Sequence, residues 1–405
     1  MRYRSGLVEG YSPLYFLASL GAGGMAVSFF MYLMFMVPHK THPIPTYEDW
    51  TAAFASGNLG YQIMIPIVLV AVVFFILLHI RLLIWNIREY RAFAKHPAHD
   101  DLSRSNAGIQ LMAIPLTLGM TVNAGFIAGA LFVPGLWSVV EYMFPAAIIA
   151  FVAIGAYAMK LFLAFFTRAL TTGHFDCERN NSLAQMLSVF AFSMVGVGLA
   201  APAAMSHIKV VSAIAFFFSV VFLASAVFFG IIKVVMGFRS MMNNGVQIEA
   251  SPTLWIMIPV LTILGIAFIR LTFALDHNFG APASTGGLFA MISVIVSLQI
   301  IFGLLGYSVM KKVGYFEQYL AGPGRSPGSY ALICPGVAGF VMATFFIQFG
   351  LVATGVVPKF SIAYFLLHVP LVVLQVKTAS LLLRLNRKLL HASASGSIGT
   401  AAPAE

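Results

Sequence analysis

Ten stretches of this chain are each apolar for long enough to cross a bilayer, and that feature decides most of what the chain can become. A transmembrane helix needs about 20 apolar residues. In lipid, every backbone N–H and C=O must also find a partner inside its own segment, which leaves the α-helix as the available form for such runs. The runs fall at roughly 13–37, 61–87, 107–134, 139–167, 183–204, 207–237, 252–275, 285–310, 329–354 and 359–384. Only 9% of the 405 residues are charged, against about 25% in a soluble domain. That shortage of polar surface excludes soluble enzymes, nucleic-acid modules and disordered scaffolds. The expected fold class is an all-α polytopic membrane protein of ten transmembrane helices. A short N-terminal segment (1–12) precedes the membrane domain (13–384), and a small, polar tail (385–405) is expected to be disordered. The first run is too long for a signal-peptide core and lacks a small-residue cleavage pattern, so it is expected to be retained.

The net charge of +10 is read here through membrane topology, since excess Lys and Arg mark cytoplasmic loops. With the runs threaded alternately, 19 of the 23 basic residues fall on one side, and Lys40, Lys209, Arg270 and Lys359 on the other. Both termini are then expected in the cytoplasm, in agreement with an even number of spans. The connections on the other side are short between spans 3 and 4, 5 and 6, and 9 and 10, which forces antiparallel neighbours. The chain therefore reads as five helical hairpins. The link 39–60 is the exception, being long enough to fold over the mouth of the protein.

The odd spans share a frame. Span 3 reads LMAIPLTLG with Pro115, span 7 WIMIPVLTILG with Pro259, and span 9 ALICPGVAG with Pro335. Spans 5 and 1 fit it with Phe190 and Leu20 in the proline position. A proline inside a helix removes one N–H and frees the carbonyl four residues earlier. Lipid cannot satisfy that carbonyl, so it should face protein or a wet cavity. Five breaks at one depth, on alternate helices, point to a quasi-fivefold ring with the odd helices inside around a central pore. Packing bends are the other use of such prolines. The residues just before each break, Ser19, Ile114, Val189, Ile258 and Cys334, form the expected narrow ring, apolar enough to gate by dewetting.

No acid lies at the centre of a span, and Arg270 reads as close to the outer end of span 7. Carboxylate proton relays keep such groups at the midplane, so proton pumping of that kind is disfavoured. A neutral pore with basic mouths would concentrate anions, although the same basic residues also serve insertion topology. His368 and His79 are the histidines within spans, and a lone helical histidine is more often hydrogen-bonded structure than a ligand. No metal-binding, nucleophile-elbow or phosphate-loop motif occurs. Cys177 and Cys334 make neither a disulfide framework nor a metal site, and Cys177, between acids, reads as unreactive. No enzyme activity, metal or cofactor is expected.

In order along the chain, SPLYFLASLGAGG, SNAGIQLMAIP, GHFDCERNNSLAQ and IEASPTLWIMIP open spans 1, 3, 5 and 7. With ten helices in five hairpins, this set resembles the tellurite-resistance/dicarboxylate transporter family, which includes TehA-type bacterial channels and plant slow anion channels. The resemblance covers about 13 to 384. It implies a bacterial inner-membrane homotrimer, each subunit holding its own anion pore, with small inorganic or organic anions and membrane lipid as partners. It also implies a phenylalanine plug in span 9, but Cys334, followed by Pro335, stands there. Phe190 in span 5 is the candidate replacement, either reaching the axis or packing on a neighbour. An anion channel is the leading expectation. A secondary exporter of organic, sulfite- or tellurite-type anions, a membrane redox or haem subunit, and a structural partner subunit remain as alternatives.

Overall fold

The computed structural model describes residues 3–40, 42–172 and 180–391, all helices, turns and links without a strand. Cys177 and residues 392–405 of the expected tail lie outside the described residues. Ten of the helices are long and apolar enough to span a membrane. They are α1 (Pro13–Met36), α2 (Leu59–Phe93), α3 (Asn106–Phe132), α4 (Leu136–Thr172), α5 (Ala184–Met205), α6 (Lys209–Asn244), α7 (Ser251–Phe279), α8 (Thr285–Lys312), α9 (Pro327–Val352) and α10 (Ile362–Leu390). Several even helices outrun their apolar stretches: α2, α4, α6 and α10 carry Arg91, Arg168, Arg239 and Lys388 on turns beyond them. The helix keeps its backbone bonds after the sequence turns polar, so hydropathy alone ends it too early. For α10 the correction reaches into the expected tail, because the helix runs to Leu390 and Lys388 Nζ donates to the carbonyls of Tyr319 and Gly322 at 2.6 and 2.8 Å.

Odd and even helices differ sharply in burial. In their most apolar stretches, 56–94% of residues are buried in the odd helices, against 22–33% in the even ones. The odd helices touch one another in the order α1–α3–α5–α7–α9–α1, and each also packs on the even helix that follows it. Small residues allow the close approaches. A methyl group at Gly198 of α5 would collide with the Phe151 ring of α4, and one at Gly336 of α9 would collide with Thr378 of α10.

The prolines act differently from an internal kink. Each odd helix begins with a 3₁₀ turn and becomes α-helical further on: at Phe16, Ala113, Leu187, Met257 and Ile333. Pro115, Pro259 and Pro335 are each the third residue after that change. There the missing N–H falls where the ladder switches from i−3 to i−4 partners. Phe190 is the fourth α-helical residue of its helix and Leu20 the fifth, so neither stands in strict register with the prolines. Side chains tie the 3₁₀ turns together: Ser12 Oγ donates to Gln110 Oε1 at 3.1 Å, Gln185 Nε2 to the Asn106 carbonyl at 3.1 Å, and the Leu183 N–H to Thr253 Oγ1 at 3.0 Å.

The two ends of the described chain lie together on one face, labelled inner below for reference. The Arg4 N–H donates to the Leu390 carbonyl at 2.7 Å, and Glu89 of α2 accepts from the N–H groups of Gly6 and Leu7. On the outer face the 39–60 link contains a short helix, Tyr47–Ala55, started by a capping box between Thr46 and Asp49. Such a box satisfies two free N–H groups at the helix start. Trp50 Nε1 donates to the Leu131 carbonyl at 2.8 Å, and the Gly135 N–H donates to Glu48 at 2.7 Å. The link is thereby fastened to the outer end of α3 and the turn that follows it. Burial disfavours ionised Asp49, but hydrogen bonds from Thr46 and from His42, 3.0 Å away, outweigh it and hold the carboxyl below the usual range. His39, by contrast, is pushed below its ordinary value by burial.

Candidate functional site

Two cavities lie one above the other among the odd helices. The outer one, of about 180 Å³, is walled mainly by α1, α3, α5, α7 and α9, with Phe144, Ala147 and Phe151 from α4 and Ile44 from the outer link. The inner one, of about 330 Å³, lies among the 3₁₀ turns and is more polar, with Asn106, Gln110, Asn180, Gln185, Gln247 and Glu249 in its wall. Three residues line both cavities: Phe190, Pro259 and Cys334. They come from α5, α7 and α9 and form the partition between the two spaces. Phe190 is 4% exposed and Cys334 9%, so both side chains are packed at the partition, and none of the three residues carries a charge.

The other sequence candidates stand elsewhere. Ser19 faces α2: its hydroxyl donates to the His79 carbonyl at 2.9 Å and lies 3.1 Å from His79 Nδ1. Val189 packs towards Gly230 of α6. The Ile258 carbonyl accepts from Gln299 Nε2 of α8 at 2.9 Å, and its side chain lies near Gly303. Ile114, Pro115 and Pro335 are buried but belong to the wall of neither cavity. The reason is rotation. Successive residues of an α-helix point about 100° apart, so Val189 with Phe190, Ile258 with Pro259, and Cys334 with Pro335 cannot both face the same axis. In α1 the inner cavity is lined by Leu14 and Leu17 and the outer one from Leu20 onward, Ser19 facing neither.

No protein-family model, curated protein or solved structure matches this chain.

The electrostatics of the site come from residues that sequence reasoning passed over. Arg270 lines the outer cavity and donates from Nη1 to the Val197 carbonyl of α5 at 3.0 Å. It lies nine residues before the end of α7, which is about 13 Å inside the helix end. Lys233 of α6 is buried behind the inner cavity. Its Nζ donates to the Gln185 carbonyl and to Ser188 Oγ at 3.1 and 3.0 Å, and it lies 5.1 Å from the Phe162 ring centre. Among the described residues the ion pairs are His42–Asp49 and His99–Asp100, so neither the half-buried Arg270 nor the buried Lys233 is paired with a carboxylate there. Glu249, an exposed residue, is the acid in the inner cavity wall.

The two span histidines are structural in their contacts. His79 Nδ1 donates to the Ser19 carbonyl at 2.8 Å and Nε2 lies 2.9 Å from Thr121 Oγ1. His368 Nδ1 donates to the Tyr364 carbonyl at 2.8 Å. Among the described residues no group of three His, Cys, Asp or Glu could hold a metal ion.

Proposed function

We propose that this chain is an anion channel, with the permeation path running through the outer cavity, the partition at Phe190, Pro259 and Cys334, and the inner cavity. The observation that carries the reading is the alignment of these two spaces on an apolar partition, with Arg270 on the outer wall and the buried Lys233 behind the inner one, neither paired with a carboxylate among the described residues. Fixed positive charge in a low-dielectric wall raises the local concentration of anions and repels cations. A dry apolar constriction then sets the rate through the cost of stripping water from the ion. The closed order of contacts among odd helices, with even helices outside, supports five hairpins in a quasi-fivefold ring. We place both termini in the cytoplasm on the basic residues of the inner face. The homotrimer and the bacterial inner membrane follow from the resemblance to TehA-like proteins.

One observation favours a second reading. The five 3₁₀-to-α changes at matching places are suitable hinges, as a secondary exporter of organic, sulfite- or tellurite-type anions would need. Anion efflux from reconstituted vesicles separates the two. A channel gives flux that rises linearly with concentration and ignores a proton gradient. Saturating flux coupled to that gradient replaces the channel with the exporter.

A further inference from the structure

Arg270 is the charged group on the wall of the outer cavity, and most of its neighbours there are apolar, including Phe126, Phe144, Met194 and Val341. One guanidinium N–H is used on the Val197 carbonyl. No carboxylate among the described residues pairs with it. A half-buried cation facing an apolar cavity without a paired carboxylate favours an anion beside it. The geometry points to that partner: we infer that the outer cavity binds a small carboxylate with an apolar body, its head on Arg270 and its hydrocarbon against the aromatic wall. This inference rests on the reading of the chain as an anion transporter and names the ligand class of its outer site.

Three considerations select this class. The planar guanidinium fork matches two coplanar oxygens, which a carboxylate offers and a halide does not. A doubly charged, strongly hydrated anion such as sulfate would find one cation and few polar groups, chiefly Asn123, and would stay under-solvated. Size is also suitable. A cavity of about 150 Å³ elsewhere holds a benzene ring, and this one offers about 180 Å³.

Benzoate is the probe, measured by equilibrium binding to the detergent-purified full chain beside chloride, sulfate and neutral benzyl alcohol. Wild type should bind benzoate in preference to the other three. Arg270→Gln should weaken benzoate by on the order of tenfold to a hundredfold, the worth of a charge-assisted hydrogen-bonded pair. Arg270→Lys, which keeps the charge without the fork, should retain chloride binding while losing most of the preference for benzoate. Equal benzoate binding by wild type and Arg270→Gln overturns the inference, as does benzyl alcohol matching benzoate. Should Arg270→Gln fail to elute as a folded species, the benzoate-to-chloride ratio of Arg270→Lys decides, an unchanged ratio counting against the site. Benzoate binding without any anion flux removes the channel and leaves this site standing. Chloride flux with benzoate binding indifferent to residue 270 removes the site alone.

Discussion

Replacing Phe190 with alanine removes the one large ring in the partition between the two cavities, where its side chain is 4% exposed. An anion crossing a dry apolar waist gives up water contacts, and hydrogen bonds to a charged group are worth about 1.5–3 kcal/mol each. A waist widened enough to keep a single water on the ion lowers the barrier by that amount. At about 1.36 kcal/mol per tenfold in rate, anion flux should rise roughly tenfold to 150-fold. A Phe→Ala change in a close-packed core costs about 3–5 kcal/mol. Phe190 already borders empty space on two sides, so its loss belongs at or below the low end of that range. The matched control is Phe192→Ala. Phe192 is fully buried on another side of α5, with its ring 5.3 Å from Phe162 and 6.3 Å from Phe222. It should show the larger loss of thermal stability and no gain in flux. Chloride efflux from vesicles, normalised to folded protein, reads both. Unchanged efflux in a folded Phe190→Ala protein refutes the gate, and equal gains in the two variants refute the location.

Three further outcomes follow from the same geometry. In a Cys177→Ser background, a membrane-impermeant thiol reagent should block flux slowly through Cys334 and much faster once Phe190 is alanine. A Cys334→Ser control that responds equally removes Cys334 from the path. Glu249→Gln removes the negative charge at the inner cavity and should raise anion conductance by roughly two- to threefold at low ionic strength, an effect that fades with added salt; insensitivity at low salt contradicts its place in the mouth. Asp49 has a depressed pKa in the folded chain. Its contribution to the outer link is therefore present above the ordinary carboxylate range and lost as pH falls through the folded value. Protection of the amides in residues 42–55, after correction for the intrinsic pH dependence of exchange, should fall below about pH 4, and Asp49→Asn, weakening a capping box worth about 0.5–2 kcal/mol, should already lower it at neutral pH. Protection independent of both would show that the capping box does not hold the link.

The ten spans were legible because bilayer thickness imposes a length on apolar runs, and no other arrangement satisfies their backbones. The rotation of each helix was not. In a soluble protein the polar face marks the outside, but in lipid the outer face is apolar too, so periodicity within α1 or α5 carries little signal. That is why Ser19, Val189 and Ile258 fell on neighbouring helices while Phe190 and Cys334 fell on the cavities. The prolines stand beside the changes from 3₁₀ to α geometry, but those changes depend on tied turns such as Gln185 with Asn106 that only tertiary structure brings together. Arg270 was discounted because its place in the sequence lies near a helix end. Its side chain lines the cavity inside that end, and a lone arginine amid the apolar residues of α7 was the signal available for it.

The most direct measurement is the reversal potential of the reconstituted protein under a tenfold KCl gradient. A passive anion-selective path predicts ohmic current reversing near the chloride equilibrium potential, about 59 mV in magnitude. Reversal at the potassium value, or no current from folded protein with Phe190 replaced by alanine, would contradict the account.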